Sequence, residues 1–207
     1  MISLVTQEHF PLVKLFPDVV YISFRHRKEI SRIFNDVLGL HDIDHISIDI
    51  IDTDNTLVYF STTPSMGYNL ITGNLWPYDG SISPTYFGSY PFYYWDQTYH
   101  QKYFHHIKKI KETDYGFAFG FTLVRKIAGF HILYSFATRN NDPEKKLLFL
   151  SNTSDLLKIG DFCYKSIRDI YACYCDPKSP PIMNSPILLT KNTHNAANLR
   201  LVVNNPR

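Results

Sequence analysis

Asp79 sits between the rings of Trp76 and Tyr78 on one side and Gly80 on the other, inside the densest aromatic stretch of the chain. A carboxylate in a partly dry aromatic pocket can accept a charge-assisted hydrogen bond from a ligand N–H. Tyr-Asp-Gly is also good turn chemistry, so the same residues fit a plain turn. Residues 76–104 carry twelve aromatics in twenty-nine positions, including the run Tyr86-Phe87-Gly88-Ser89-Tyr90-Pro91-Phe92-Tyr93-Tyr94-Trp95. Broken by Gly and Pro, this density suits the wall of a pocket better than a plain helix. Rings supply apolar area at low rotamer cost, while Tyr hydroxyls and indole N–H groups leave polar handles inside it. The residues expected to line a ligand site are Tyr68, Trp76, Tyr78, Asp79, Tyr90, Tyr93 and Trp95, with Phe117, Phe119 and Tyr134 from the sheet. Aromatics also simply build cores, and each of these rings fits that reading too.

Other chemistries find weaker footing. The nine histidines include His41-Asp42-Ile43-Asp44-His45 and the cluster His100, His105 and His106. Zinc needs three or four convergent ligands, and the thiols Cys163, Cys173 and Cys175 lie far along the chain at no standard finger spacing. There is no Gly-x-Ser-x-Gly elbow, no phosphate loop and no dinucleotide fingerprint. A Cys163–His131 pair has no orienting motif beside it. The inventory therefore calls for no catalytic residue, no metal and no cofactor, and the chain is not expected to be an enzyme.

The elements that must position the aromatic stretch follow from periodicity. Phe24, Ile30, Ile33, Phe34, Val37 and Leu38 recur at helical spacing and predict one amphipathic helix over 23–38, with Gly39 as its C-cap. Residues 1–22, interrupted by Pro11 and Pro17, read as an irregular arm or short helices against the body. Residues 45–51 alternate with period two, 56–62 form a second strand-like run, and Asp52-Thr53-Asp54-Asn55 between them is turn chemistry. A short helix is expected over 65–72, and another helix over 99–111. Next, Phe117, Phe119, Phe121 and Leu123 alternate with Gly116, Ala118, Gly120 and Thr122, giving a strand with rings on one face and almost no side chain on the other. Something is expected to approach that small face closely, either a ligand or a packed helix. A second hairpin partner follows over 130–138, then helices over 144–150 and 153–174. The whole predicts an α+β fold: a central antiparallel sheet with helices on both faces, in one domain over residues 1–175, with an irregular tail over 176–207.

Of 207 residues, 44% are hydrophobic and 19% charged, an ordinary globular balance, and the formal net charge is +2. The basic runs Arg25-His26-Arg27-Lys28 and Lys108-Lys109-Ile110-Lys111 read as solvated helix faces, so no nucleic-acid partner is expected. No apolar run is long enough to span a bilayer, and the N-terminus lacks a secretory pattern. Three cysteines support no disulfide framework. A soluble cytoplasmic protein is the expectation, with secretion as an effector the alternative.

The order of elements, with GFAFGFTLVRKIAGFHILYSFATR (Gly116 to Arg139) and LSNTSDLLKIGDFCYKSIRDIY (Leu150 to Tyr171), resembles the autoinducer-binding domain of LuxR-type bacterial regulators. That family has a PAS/GAF-like α/β/α sandwich. The resemblance implies an acylated ligand enclosed by a Trp/Tyr/Asp/Trp set, with the Asp accepting from the ligand amide. Tyr68, Asp79, Trp95 and Gly116 or Gly120 occur here in that order. Met66 stands near the place of the family's first Trp, and Gly80 follows the Asp in place of Pro. The family's helix-turn-helix finds no counterpart beyond Leu189-Thr190-Lys191. The resemblance thus implies a small-molecule sensor of quorum-sensing type without its own DNA reader. Its partners would be a small apolar or acylated ligand and a second copy or a full-length regulator. The competing expectation is a protein–protein interaction module such as a secreted bacterial effector, in which the aromatic surface meets a partner chain.

Overall fold

The computed structural model describes residues 12–175. The expectations for residues 1–11, for the tail over 176–207 and for Leu189-Thr190-Lys191 lie outside the described residues. Six strands form one sheet in the order β1-β3-β2-β6-β5-β4. They are β1 (Lys14–Leu15), β2 (His45–Ile51), β3 (Thr56–Ser61), β4 (Phe92–Tyr94), β5 (Phe119–Ile127) and β6 (Phe130–Thr138). All neighbours are antiparallel except β1 and β3, which run parallel. The fold is an α+β sandwich around this mixed sheet. The two hairpins join through β2 and β6, so the strand richest in β-branched residues occupies the middle. The short outer strands β1 and β4 were not legible in the sequence, since two or three residues carry no period.

Both hairpin turns follow local chemistry. Asp52 Oδ1 accepts from the backbone N–H of Asp54 and of Thr56, both at 2.8 Å, closing the β2–β3 turn. Ala128 and Gly129 both take positive φ, 48° and 84°, between β5 and β6. That is the geometry in which a two-residue turn matches strand twist.

One face of the sheet carries Ile46, Ile48 and Ile50 of β2, Val58 and Phe60 of β3, Phe119 and Phe121 of β5, and Ile132, Tyr134 and Phe136 of β6. It packs against α1 (Val19–Arg25), α2 (Arg27–Phe34), α6 (Glu144–Ser151) and the long α7 (Thr153–Cys175). The expected single helix over 23–38 is two: the chain leaves helical geometry at His26 (φ −97°, ψ 8°). The break lets Ser23 Oγ donate to the carbonyl of Tyr59 and His26 Nε2 meet Tyr174 Oη at 2.9 Å, tying α1 to β3 and the bend to α7.

The opposite face is covered by α3 (Pro64–Thr72), α4 (Pro84–Ser89), α5 (Phe104–Lys108) and four short turns, with Trp76, Trp95 and Phe117 packed among them. The helix expected over 99–111 passes from α5 into a π turn over Lys109–Asp114. With both faces covered, every residue of β2 is buried, polar ones included. No helix among the described residues is long and apolar enough to cross a membrane.

Candidate ligand pocket

A cavity of about 80 Å³ lies between the second face of the sheet and its cover. Ser47, Asp49 and Ser135 form part of its floor, Met66, Leu70 and Ile71 of α3 and Trp76 its roof, and His45, Trp95, Asp79 and Lys111 also line it.

The floor follows from strand register. Tyr93 faces Thr122, Thr122 faces Ser135, Ser135 faces Ser47, and Ser47 faces Ser61, so one row of five hydroxyls crosses five strands. Thr122 Oγ1 and Ser135 Oγ lie 2.9 Å apart, and the Trp95 indole N–H donates to Thr122 Oγ1 at 3.0 Å. Tyr93 Oη donates to the Ser81 carbonyl at 2.7 Å, which ties the edge strand to the loop carrying Asp79. The close approach expected at the small face of β5 is made by Trp95. A Cβ on Gly120 would stand 2.1 Å from the Trp95 ring, so only glycine admits the indole there.

Asp79 is engaged on both oxygens. Its Oδ2 lies 2.7 Å from Lys111 Nζ, and its Oδ1 accepts from Ser81 N at 3.2 Å and Ser81 Oγ at 2.8 Å. Lys111 was expected on a solvated face, yet its side chain is 2% exposed. It sits in the π turn, an element frequent at functional sites because the extra residue re-aims side chains. Gly80 is fixed by packing: a Cβ there would lie 1.9 Å from the Thr98 carbonyl oxygen. That accounts for glycine after the aspartate.

Asp49 and His45 are the two further ionisable groups of the cavity. Asp49 Oδ1 accepts from Ser47 Oγ at 2.6 Å. Burial, with Asp79 adding repulsion, outweighs the Ser47 bond and Lys111 and pushes the carboxyl up to about 7. Burial, then Lys111 and Arg139, pushes His45 down to about 3, so its ring is neutral. His45 Nδ1 lies 3.1 Å from Thr63 Oγ1, while its Nε2 is buried without a hydrogen-bond partner. An orphaned ring nitrogen and a strongly shifted carboxyl on residues of one cavity mark a candidate binding site.

The residues expected to line the site divide. Trp76, Asp79 and Trp95 line the cavity, and Tyr93 is buried beside it, bonded to the loop that bears Asp79. Phe117 packs behind the wall with Met66 and Trp95, its ring 4.9 Å from that of His45. Phe119 and Tyr134 are corrected: they lie on the other face, Phe119 against Phe149 and Tyr134 donating from Oη to Asp161 Oδ1 at 2.8 Å. Strand parity is the reason, since the ring-bearing face of the hairpin meets α7 and the small face meets the cavity. Tyr68 and Tyr90 are 42% and 54% exposed, and Tyr78 stacks on Tyr103 at 3.9 Å outside the pocket. Cys163 and His131 lie on opposite sides of the sheet, Cys163 in the core with α7 and His131 beside Phe87.

Sequence reasoning missed His45, Ser47, Asp49, Ser135 and Lys111. The alternation of β2 placed His45, Ser47 and Asp49 on one face, but nothing local told that the cavity lies against it.

No family model matches the chain, and no curated protein matches it in sequence. Among solved structures, a crystal structure of Escherichia coli SdiA is similar at a TM-score of 0.44 and 10% sequence identity, over 75% of this chain and 70% of that one. At that level the likeness decides nothing about the site, which stands on its own geometry.

Proposed function

We propose that this chain is a small-molecule-binding sensor module that holds its ligand between the hydroxyl-bearing face of the sheet and the cover formed by α3 and the aromatic segment. The observation that carries the reading is the convergence of under-satisfied polar atoms, Asp49 and His45 Nε2, in an otherwise largely apolar cavity. A fold that needed only stability would fill that space with side chains. The size favours a compact ligand. One water needs roughly 10–15 Å³ by the same measure, so the cavity takes a ring or a short chain, and a long acyl tail requires α3 and Trp76 to move outward.

The test is to purify the full chain natively, identify copurifying small molecules by mass spectrometry, and follow melting temperature on adding the extract back. A molecule that copurifies and raises the melting temperature supports the sensor reading. A chain that is empty and unmoved by extracts argues for the interaction reading, which would use the outward part of the aromatic segment, Tyr90 and Phe92 beside edge strand β4.

A further inference from the structure

The cavity's charges are already settled among its own side chains. Four lining residues could carry charge near neutrality: His45, Asp49, Asp79 and Lys111. Lys111 and Asp79 close on each other at 2.7 Å, so no unpaired cation awaits an acidic ligand. His45 is uncharged, and burial holds Asp49 largely protonated below about pH 7. The ionisable groups acting on Asp49 are Asp79 from the loop, Lys111 from the π turn, Tyr59 of β3 and Tyr93 of β4. The residues of α3 that line the cavity, Met66, Gly67, Leu70 and Ile71, add none. A cationic ligand would meet the Lys111 ammonium, which already acts on Asp49.

Asp49 also has an unused edge. Ser47 fills one of the two acceptor sites of Oδ1, and Oδ2 has no hydrogen-bond partner among the described residues. A protonated carboxyl offers one donor and one acceptor side by side. Its complement is a group with an acceptor and a donor at the same spacing, as in a cis amide.

We infer that the site takes a compact, uncharged molecule carrying an adjacent carbonyl and N–H, of the lactam, cyclic imide or primary amide class, which meets the free edge of Asp49 while its apolar part lies against Leu57, Leu70 and Trp76. This rests on the sensor reading and makes Asp49, in place of Asp79, the residue that reads the ligand.

The experiment titrates four small probes into the full chain and follows backbone ¹H–¹⁵N shifts of β2: 2-pyrrolidinone, γ-butyrolactone, butyrate and pyrrolidinium. The lactam should saturate, bind about tenfold more tightly than the lactone that lacks its N–H, a difference of one hydrogen bond, and weaken as pH rises from 6 to 8. Asp49→Asn, which keeps a donor and an acceptor, should retain the preference without the pH dependence, and Asp49→Leu should abolish it. Tighter binding of butyrate or pyrrolidinium, or a lactam preference that survives Asp49→Leu, overturns the inference and leaves the pocket a ligand site. If no probe shifts any cavity residue, the sensor reading falls with it.

Discussion

Lys111 Nζ lies 2.7 Å from Asp79 Oδ2, and the ring centroids of Trp95 and Tyr99 lie 4.2 and 5.1 Å from the same ammonium. A charge from the π turn and a charge from the aromatic loop thus close one side of the cavity, shielded by two rings. The aspartate expected to greet a ligand instead holds the cover together.

Breaking that pair from one side strands a buried charge. Lys111→Met should cost about 3–5 kcal/mol, and adding Asp79→Asn to it should recover most of the loss. Urea unfolding of both variants at pH 7 measures this. A Lys111→Met loss below about 1 kcal/mol, the usual worth of an exposed pair, would show that the ion pair does not hold the cover. Asp79→Ala is likewise expected to lower stability, so Asp49 is the cleaner position for binding studies.

Asp49 and His45 give opposite pH slopes. Folded Asp49 keeps a proton that the unfolded chain releases between its usual 3.8 and about 7, so its contribution to stability falls as pH rises through that window. Folded His45 refuses a proton that the unfolded chain binds below 6.5, so its contribution falls as pH drops from 6.5 towards 3. Each effect is at most roughly 5 kcal/mol, and between about pH 4 and 6.5 they offset. Asp49→Asn should therefore leave a protein that loses stability on acidification, and His45→Gln one that gains it. Denaturation midpoints at half-unit pH steps separate the two, and parallel pH profiles for both variants would refute the assignment.

Gly120→Ala places a methyl where the Trp95 ring lies, 2.1 Å from its Cδ2. The indole must leave its seat and the bond to Thr122, with an expected cost of about 1–3 kcal/mol and a red shift in Trp emission. Gly160→Ala meets the Tyr134 ring at 2.0 Å on the other face. It should cost a similar amount with Trp emission unchanged.

Asp161 accepts from Tyr134 Oη at 2.8 Å and from Arg125 at 2.7 and 3.2 Å. Asp161→Leu should cost about 2 kcal/mol or more by removing the buried carboxylate that Tyr134 Oη and Arg125 share, without altering probe binding at Asp49. A loss of probe binding in a folded Asp161→Leu protein would mean that the two faces of the sheet are coupled.

The sequence alone determined the strands and turns of the two hairpins and the long α7, because those features are local. Period-two alternation in 45–51 and 130–138, turn chemistry at Asp52 and Gly129, and the helical stripe from Leu156 to Tyr171 each fix their element without distant help. What only the tertiary structure decided is which face meets which layer. Phe119 and Tyr134 share a face in the register that the Ala128–Gly129 turn sets, but whether that face meets α7 or the aromatic cover depends on how whole layers stack. Gly160 and Gly120 resolve it, one admitting the Tyr134 ring and the other the Trp95 ring. Lys111 was misread and Asp49 missed for the same reason. A lysine in a basic run and an aspartate on an alternating strand look solvated until another layer covers them, and burial is a property of that layer, not of the residues beneath it.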